Sequence, residues 1–170
     1  MFRGISLILA ALSEKSDRLC RIFLAFCFAM MISVCLLQVF CRYALDAALS
    51  WPEELTIYLM VWMTFIGAAV AVKSSEHISV DVLLNLFPRR TQARLSLMVT
   101  ILTLLVVLYL LKSAFGLTVS SVSMISDALG ISMLWPRVAM PISASLMVLH
   151  LANRIMADTA NLLKENRQRG

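Results

Sequence analysis

Charged residues are scarce in this chain, 15% of 170 positions, and that scarcity excludes an ordinary soluble domain, whose surface is solvated by roughly 25% Asp, Glu, Lys and Arg. Histidine occurs twice, at His77 and His150, which argues against a buried haem held by two histidines at membrane depth. The four cysteines, Cys20, Cys27, Cys35 and Cys41, all lie on or beside one apolar segment. A single helix cannot bring its own thiols within bridging distance, and no zinc spacing appears. The cysteines read as small apolar packing residues. With no Ser-His-Asp order, HExxH pair or phosphate loop, catalysis has no anchor, and neither an enzyme activity nor a cofactor is expected. The formal charge of +5 does not point to nucleic acid, because a hydrophobic chain uses Lys and Arg first to set its topology.

What the chain has in quantity is apolar surface: 61% hydrophobic residues and a mean hydropathy of +0.87. An all-α integral membrane protein is expected. A spanning helix needs about 20 apolar residues to cross roughly 30 Å of hydrocarbon, and four stretches qualify, at about 20–41, 52–73, 95–115 and 136–157, forming a single domain over 1–170. Within the first, Gln38 is the one strongly polar residue between Ile22 and Phe40. The second is entered through Ser50-Trp51-Pro52-Glu53. With Ser50 as N-cap, Glu53 falls at the capping-box position and Pro52 in the first turn, where its missing N–H costs little. In the third, Lys112 lies about 26 Å beyond Leu95 at 1.5 Å per residue, a depth from which it snorkels to the interface. Residues 113–134 read as a helix extension and an interfacial turn. Pro141, near the start of the fourth span, predicts a mild kink. Ahead of the spans, Ile5, Ile8, Leu9 and Leu12 recur at helical spacing beside Arg3, Glu14, Lys15 and Asp17. They predict a short amphipathic surface helix over about 4–16, preferred to a cleaved signal peptide because the apolar run is short and the first span follows at once.

Basic residues set the orientation. Arg3, Lys15, Arg18 and Arg21 precede the first span; Lys73, Arg89, Arg90 and Arg94 separate the second from the third; Arg154, Lys164, Arg167 and Arg169 close the chain. These twelve lie on one side, against Arg42, Lys112 and Arg137 on the other, so both termini are expected in the cytoplasm. Glu53 and Glu54 then face outward, and His77 with Asp81 faces the cytoplasm.

Adjacent helical positions point about 100° apart, so Glu53 and Glu54 do not converge naturally on one ion. They read as a cap with a salt bridge to Arg42, or as a docking point, in preference to an ion pathway. His77 and Asp81 share a helical spacing but have no further ligand beside them, so no metal site is expected. Lys73 is a candidate partner for Asp81. His150, within the fourth span, reads as hydrogen-bonded between helices. Gly67 and Ala71 form a small-xxx-small pair that suits close helix packing, within the bundle or against another subunit. Trp51 and Trp135 fall where an interfacial aromatic belt would.

The order Gln38-Val39-Phe40-Cys41-Arg42-Tyr43, Trp51-Pro52-Glu53-Glu54-Leu55, Gly67-Ala68-Ala69, Lys73 and His77-Ile78-Ser79-Val80-Asp81 resembles the DctQ-type small membrane subunit of tripartite ATP-independent periplasmic (TRAP) transporters. Ala128-Leu129-Gly130-Ile131-Ser132-Met133 and Trp135-Pro136 are also similar, with Ser132 standing where the family often has proline. The resemblance implies a multi-pass protein of the bacterial inner membrane that pairs with a large membrane subunit holding the sodium and substrate sites. A periplasmic binding protein would deliver an organic acid to that pair. It also implies contact roles, with the partners or within the turns, for Arg42, Trp51, Glu53, Glu54, Lys73, His77 and Asp81. A stand-alone proton-coupled multidrug exporter acting as a homodimer is the rival, and it requires an acid near the bilayer middle. A respiratory membrane anchor would require haem histidines.

Overall fold

The computed structural model describes residues 2–74 and 89–167. His77 and Asp81 lie outside the described residues. Five helices make up the described chain: α1 Phe2–Ala44, α2 Trp51–Ser74, α3 Arg89–Val119, a four-residue α4 Leu134–Arg137, and α5 Ala139–Arg167. Four stretches are long and apolar enough to cross a membrane, Leu9–Ala44, Trp51–Ser74, Leu95–Val119 and Leu134–Met156. The all-helical expectation therefore holds, with four candidate spans.

One expectation needs correction. No break separates a surface helix from the first span; α1 runs continuously for 43 residues, about 63 Å at 1.5 Å per residue. The reason is local. Residues 14–22 contain neither glycine nor proline, and Asp17 pairs with Arg21 one turn on, Oδ2 to Nε 2.9 Å, an i,i+4 contact that supports helix. Ser13 and Asp17 are also buried against the bundle.

Packing on α1 follows a narrow seam. Ser13, Asp17, Cys20, Cys27, Val34 and Cys41 are buried, and Leu24, Met31 and Gln38 between them are half-buried. The nine positions alternate steps of four and three, the 3.5-residue repeat of a left-handed helix crossing. Three cysteines sit on that seam, where a small side chain lets backbones approach in lipid. Cys35, off the seam, is exposed.

α5 is the hub: it packs on α1, α2 and α3, whereas α3 has no close backbone approach to α1 or α2 among the described residues. Side chains from α3 and α5, Val107, Ala144 and Leu151, form one buried cluster, and Cys20, Ile66 and Val70 form another between α1 and α2. Pro141 explains the break before α5. It cannot donate to the Arg137 carbonyl, and that oxygen instead accepts from the Thr118 hydroxyl at 3.2 Å. Most large apolar side chains on the outer faces, Leu102, Leu105 and Tyr109 among them, are exposed, as suits a lipid-facing surface.

Candidate functional site

The two ends of α2 hold the polar chemistry, and Glu54 organises the first. Its Oε2 accepts hydrogen bonds from the backbone N–H groups of Ala128 and Leu129, both at 3.0 Å. Its Oε1 accepts from the Tyr58 hydroxyl at 2.6 Å, one helical turn along α2. The carboxylate thus ties α2 to the turn between α3 and α4. That turn is a small hairpin: Ser126 N–H donates to the Ile131 carbonyl (2.9 Å) and Met133 N–H to the Met124 carbonyl (2.9 Å), bracketing an antiparallel bridge between Ile125 and Ser132. Gly130 closes it with φ 65°, a left-handed conformation that glycine adopts without steric cost. The Ser126 hydroxyl also accepts from Leu129 N–H at 3.2 Å. Two successive backbone N–H groups aimed at one carboxylate oxygen make an anion nest, filled here from within the chain.

The structure separates the predicted neighbours. Glu53 is exposed and has no side-chain hydrogen-bond or ion-pair partner among the described residues, so the reciprocal capping box with Ser50 does not form. Arg42 is exposed. The expected Arg42 salt bridge is likewise not formed, since the two ion pairs among the described residues both involve Asp17. The Glu54 oxygens are already taken, Oε2 by the turn and Oε1 by Tyr58. Arg42 instead closes α1 just before a tight reversal in which the Cys41 carbonyl accepts from Leu45 and Ala47 N–H and Asp46 takes φ 49°. A short polar side chain tolerates that conformation better than most. Trp51 is half-buried, and its neighbour Pro52 is fully buried.

At the other end, Lys73 joins a buried polar cluster from three helices. Its Nζ lies 3.6 Å from Asp17 Oδ2 and donates to the Ser13 carbonyl at 3.3 Å. Arg21 bonds both Asp17 and, at 3.1 Å, the Ser74 hydroxyl. His150, completely buried on α5, meets the Ser13 hydroxyl through Nδ1 at 2.7 Å. The interhelical hydrogen bond expected of His150 is therefore present. Lys73 has Asp17 as its ionic partner, a residue just beyond the surface helix expected over about 4–16. Ser13, Asp17 and Arg21 were missed as site residues; their signal was a continuous helical period running from the amphipathic segment into the first span.

Gly67 and Ala71 make no tight contact among the described residues. A Cβ on Gly67 would meet nothing within 4 Å, Ala71 is exposed, and α2 is instead buried at Ala69, which has no accessible surface. Among the described residues no group of three His, Cys, Asp or Glu side chains could hold a metal ion. The clusters at Glu54 and Lys73 are 19 residues apart on α2, roughly 28 Å, the thickness of the hydrocarbon layer.

Residues 30–161 match the family of tripartite ATP-independent periplasmic transporters, DctQ component. The sialic acid TRAP transporter permease protein SiaT of Haemophilus influenzae is 32% identical over 136 residues, 79% of this chain and 21% of that protein. A putative TRAP transporter small permease protein of the same species is 36% identical over 49% of this chain and 51% of its own length. The sialic acid TRAP transporter small permease protein SiaQ of Vibrio cholerae is 25% identical over 80% of this chain and 76% of its length. The alignments thus span about a fifth of SiaT and half of the Haemophilus small permease. With four candidate spans and a family match over most of its length, the chain belongs to the DctQ family of TRAP transporter small permease components, which are transport proteins.

Proposed function

We propose that the chain is the small permease subunit of a TRAP-type importer and acts as a fixed scaffold for a larger membrane subunit that carries the ion and substrate sites. The distribution of charge carries this reading. No charged side chain occurs between Arg21 and Arg42, Glu54 and Lys73, Arg94 and Lys112, or Arg137 and Arg154, so the spans offer no charged stepping stones for an ion or an acid. Glu54 and Lys73 are committed to internal bonds at opposite ends of α2. An exporter would instead need an acid near mid-membrane. The names of the relatives, sialic acid and C4-dicarboxylate transporters, suggest an organic acid as cargo; in this reading a periplasmic binding protein delivers it and a sodium gradient drives its uptake.

In this reading both termini are cytoplasmic and the Glu54 end of α2 faces the periplasm. Arg42 and Glu53, both exposed, are the groups there free to meet a partner, with Trp51 beside them; His77 and Asp81 are docking candidates on the cytoplasmic side, and Gly67 and Ala71 offer a smooth face for a neighbouring helix. Reconstituting the large permease and binding protein with and without this chain tests the proposal. Uptake is expected with the chain and lost without it; uptake by the large permease alone at the same rate overturns the scaffold role. Loss of the complex on purification of a His77→Ala, Asp81→Ala variant would support cytoplasmic docking, and an intact, active complex would reject it.

A further inference from the structure

An apolar groove of about 620 Å³ opens between α1, α2 and α5. Cys20 and Ile66 are buried at its base, and the rings of Phe23 and Trp62 meet edge-to-face at its side, centroids 5.6 Å apart. On α1, Leu19 and Ile22 line it. Lys15 and Arg18 precede them on the same helical face, since 15, 18, 19 and 22 follow the i, i+3, i+4, i+7 pattern. Both are exposed and neither has an ion-pair partner among the described residues. Glu14 beside them offsets one charge, and Arg21 is engaged by Asp17 and Ser74, leaving a net positive head above an apolar trough.

We propose that this groove is a selective binding site for one anionic phospholipid, its phosphate on Lys15 and Arg18 and an acyl chain laid along α1 against Phe23 and Trp62. The dimensions agree. Phe23 lies eight residues beyond Lys15, about 12 Å along the helix, and one leaflet of hydrocarbon is about 15 Å deep, so a lipid with its phosphate at Lys15 brings its mid-chain to Trp62. A polypeptide helix from a partner would match the trough and leave the two cations unanswered; an anionic lipid matches both. The inference is independent of the transport reading, and its test measures no transport.

The full chain carrying Trp51→Phe and Trp135→Phe retains Trp62 as its single tryptophan. In phosphatidylcholine bilayers, a small fraction of phosphatidylglycerol brominated at mid-chain is expected to quench Trp62 at least threefold more than the same fraction of brominated phosphatidylcholine. Lys15→Gln with Arg18→Gln should abolish the difference. Equal quenching by the two lipids, or a preference that survives the double substitution, overturns the site. So does shielding of Trp62 from both lipids in the complex purified with the large subunit, because a polypeptide then fills the groove. Should the tryptophan variants fail to fold, native mass spectrometry of the otherwise unaltered chain gives the same decision: phosphatidylglycerol retained at one per chain, and lost with Lys15→Gln and Arg18→Gln, supports the site, and retention unaffected by that pair of changes refutes it.

Discussion

Two adjacent glutamates at the start of α2 have opposite fates because a helix points neighbouring side chains about 100° apart. Glu54 faces the hairpin and accepts three hydrogen bonds; Glu53 faces outward. The expected outcome is a clear lowering of the midpoint of thermal unfolding in Glu54→Gln, whose neutral oxygen is a weaker acceptor for two N–H donors, and almost none in Glu53→Gln. Equal effects of the two would refute the assigned division. Tyr58→Phe removes one of the three bonds and should fall between them. At the opposite end, Ser13 and His150 form a bond across 137 positions. A double-mutant cycle of Ser13→Ala and His150→Leu, read by denaturant unfolding in detergent, should give a coupling on the order of 1 kcal/mol, the usual worth of an interhelical polar contact in a membrane bundle.

At the level of elements, the hairpin between α3 and α4 is held in part by Ser132. Ser132 belongs to the non-hydrogen-bonded pair of the bridge, and its N–H donates no hydrogen bond among the described residues. Its hydroxyl accepts from Leu134 N–H and donates to the Val122 carbonyl. Proline at 132 would thus lose those hydroxyl bonds, roughly 0.5–1.5 kcal/mol each, against an entropic gain of about 0.4–1 kcal/mol. Ser132→Pro is expected to lower stability by roughly 0–2.6 kcal/mol, the difference of those terms, and Gly130→Ala, forced into a left-handed φ, by about 1–2 kcal/mol; the two unfolding midpoints check both, and a stabilised Ser132→Pro would show that the hydroxyl bonds count for little. Much of this architecture was legible beforehand. Four apolar runs give four helices because lipid leaves the backbone no other partner, and Glu54 and Lys73 stood out as charges at span ends. The partners were not legible. Ala128 and Leu129 offer backbone N–H groups, which carry no side-chain signature, and Asp17 lies 56 positions from Lys73. The amphipathic period over 4–16 was read correctly as helix, but period alone does not say whether its buried face meets lipid headgroups or other helices. Ser13 against His150 shows that, from residue 13 onward, it meets helices.

For the whole molecule, α5 is what makes one bundle of four spans, since among the described residues it is the one long helix that packs closely on the other three. Two of its polar residues serve that role: His150 bonds Ser13 of α1, and Asp158 accepts from the Ser96 hydroxyl of α3 at 3.2 Å. The same helix fixes which ends lie together. Because Ser13 of α1, Lys73 of α2 and His150 of α5 converge, while Glu54 of α2 meets the hairpin after α3, the bundle has a basic end and an acidic-turn end. Twelve of the 15 Lys and Arg residues belong to the first by sequence. If that bias sets orientation as the positive-inside rule requires, a green fluorescent protein fused after Gly170 should fluoresce, and alkaline phosphatase fused there should be inactive. Phosphatase inserted in the hairpin near Asp127 should be active. The inverse pattern would turn the Glu54 hairpin toward the cytoplasm, and would remove Arg42 and Glu53 from any contact with a periplasmic binding protein while leaving the internal bonds of both clusters as they are.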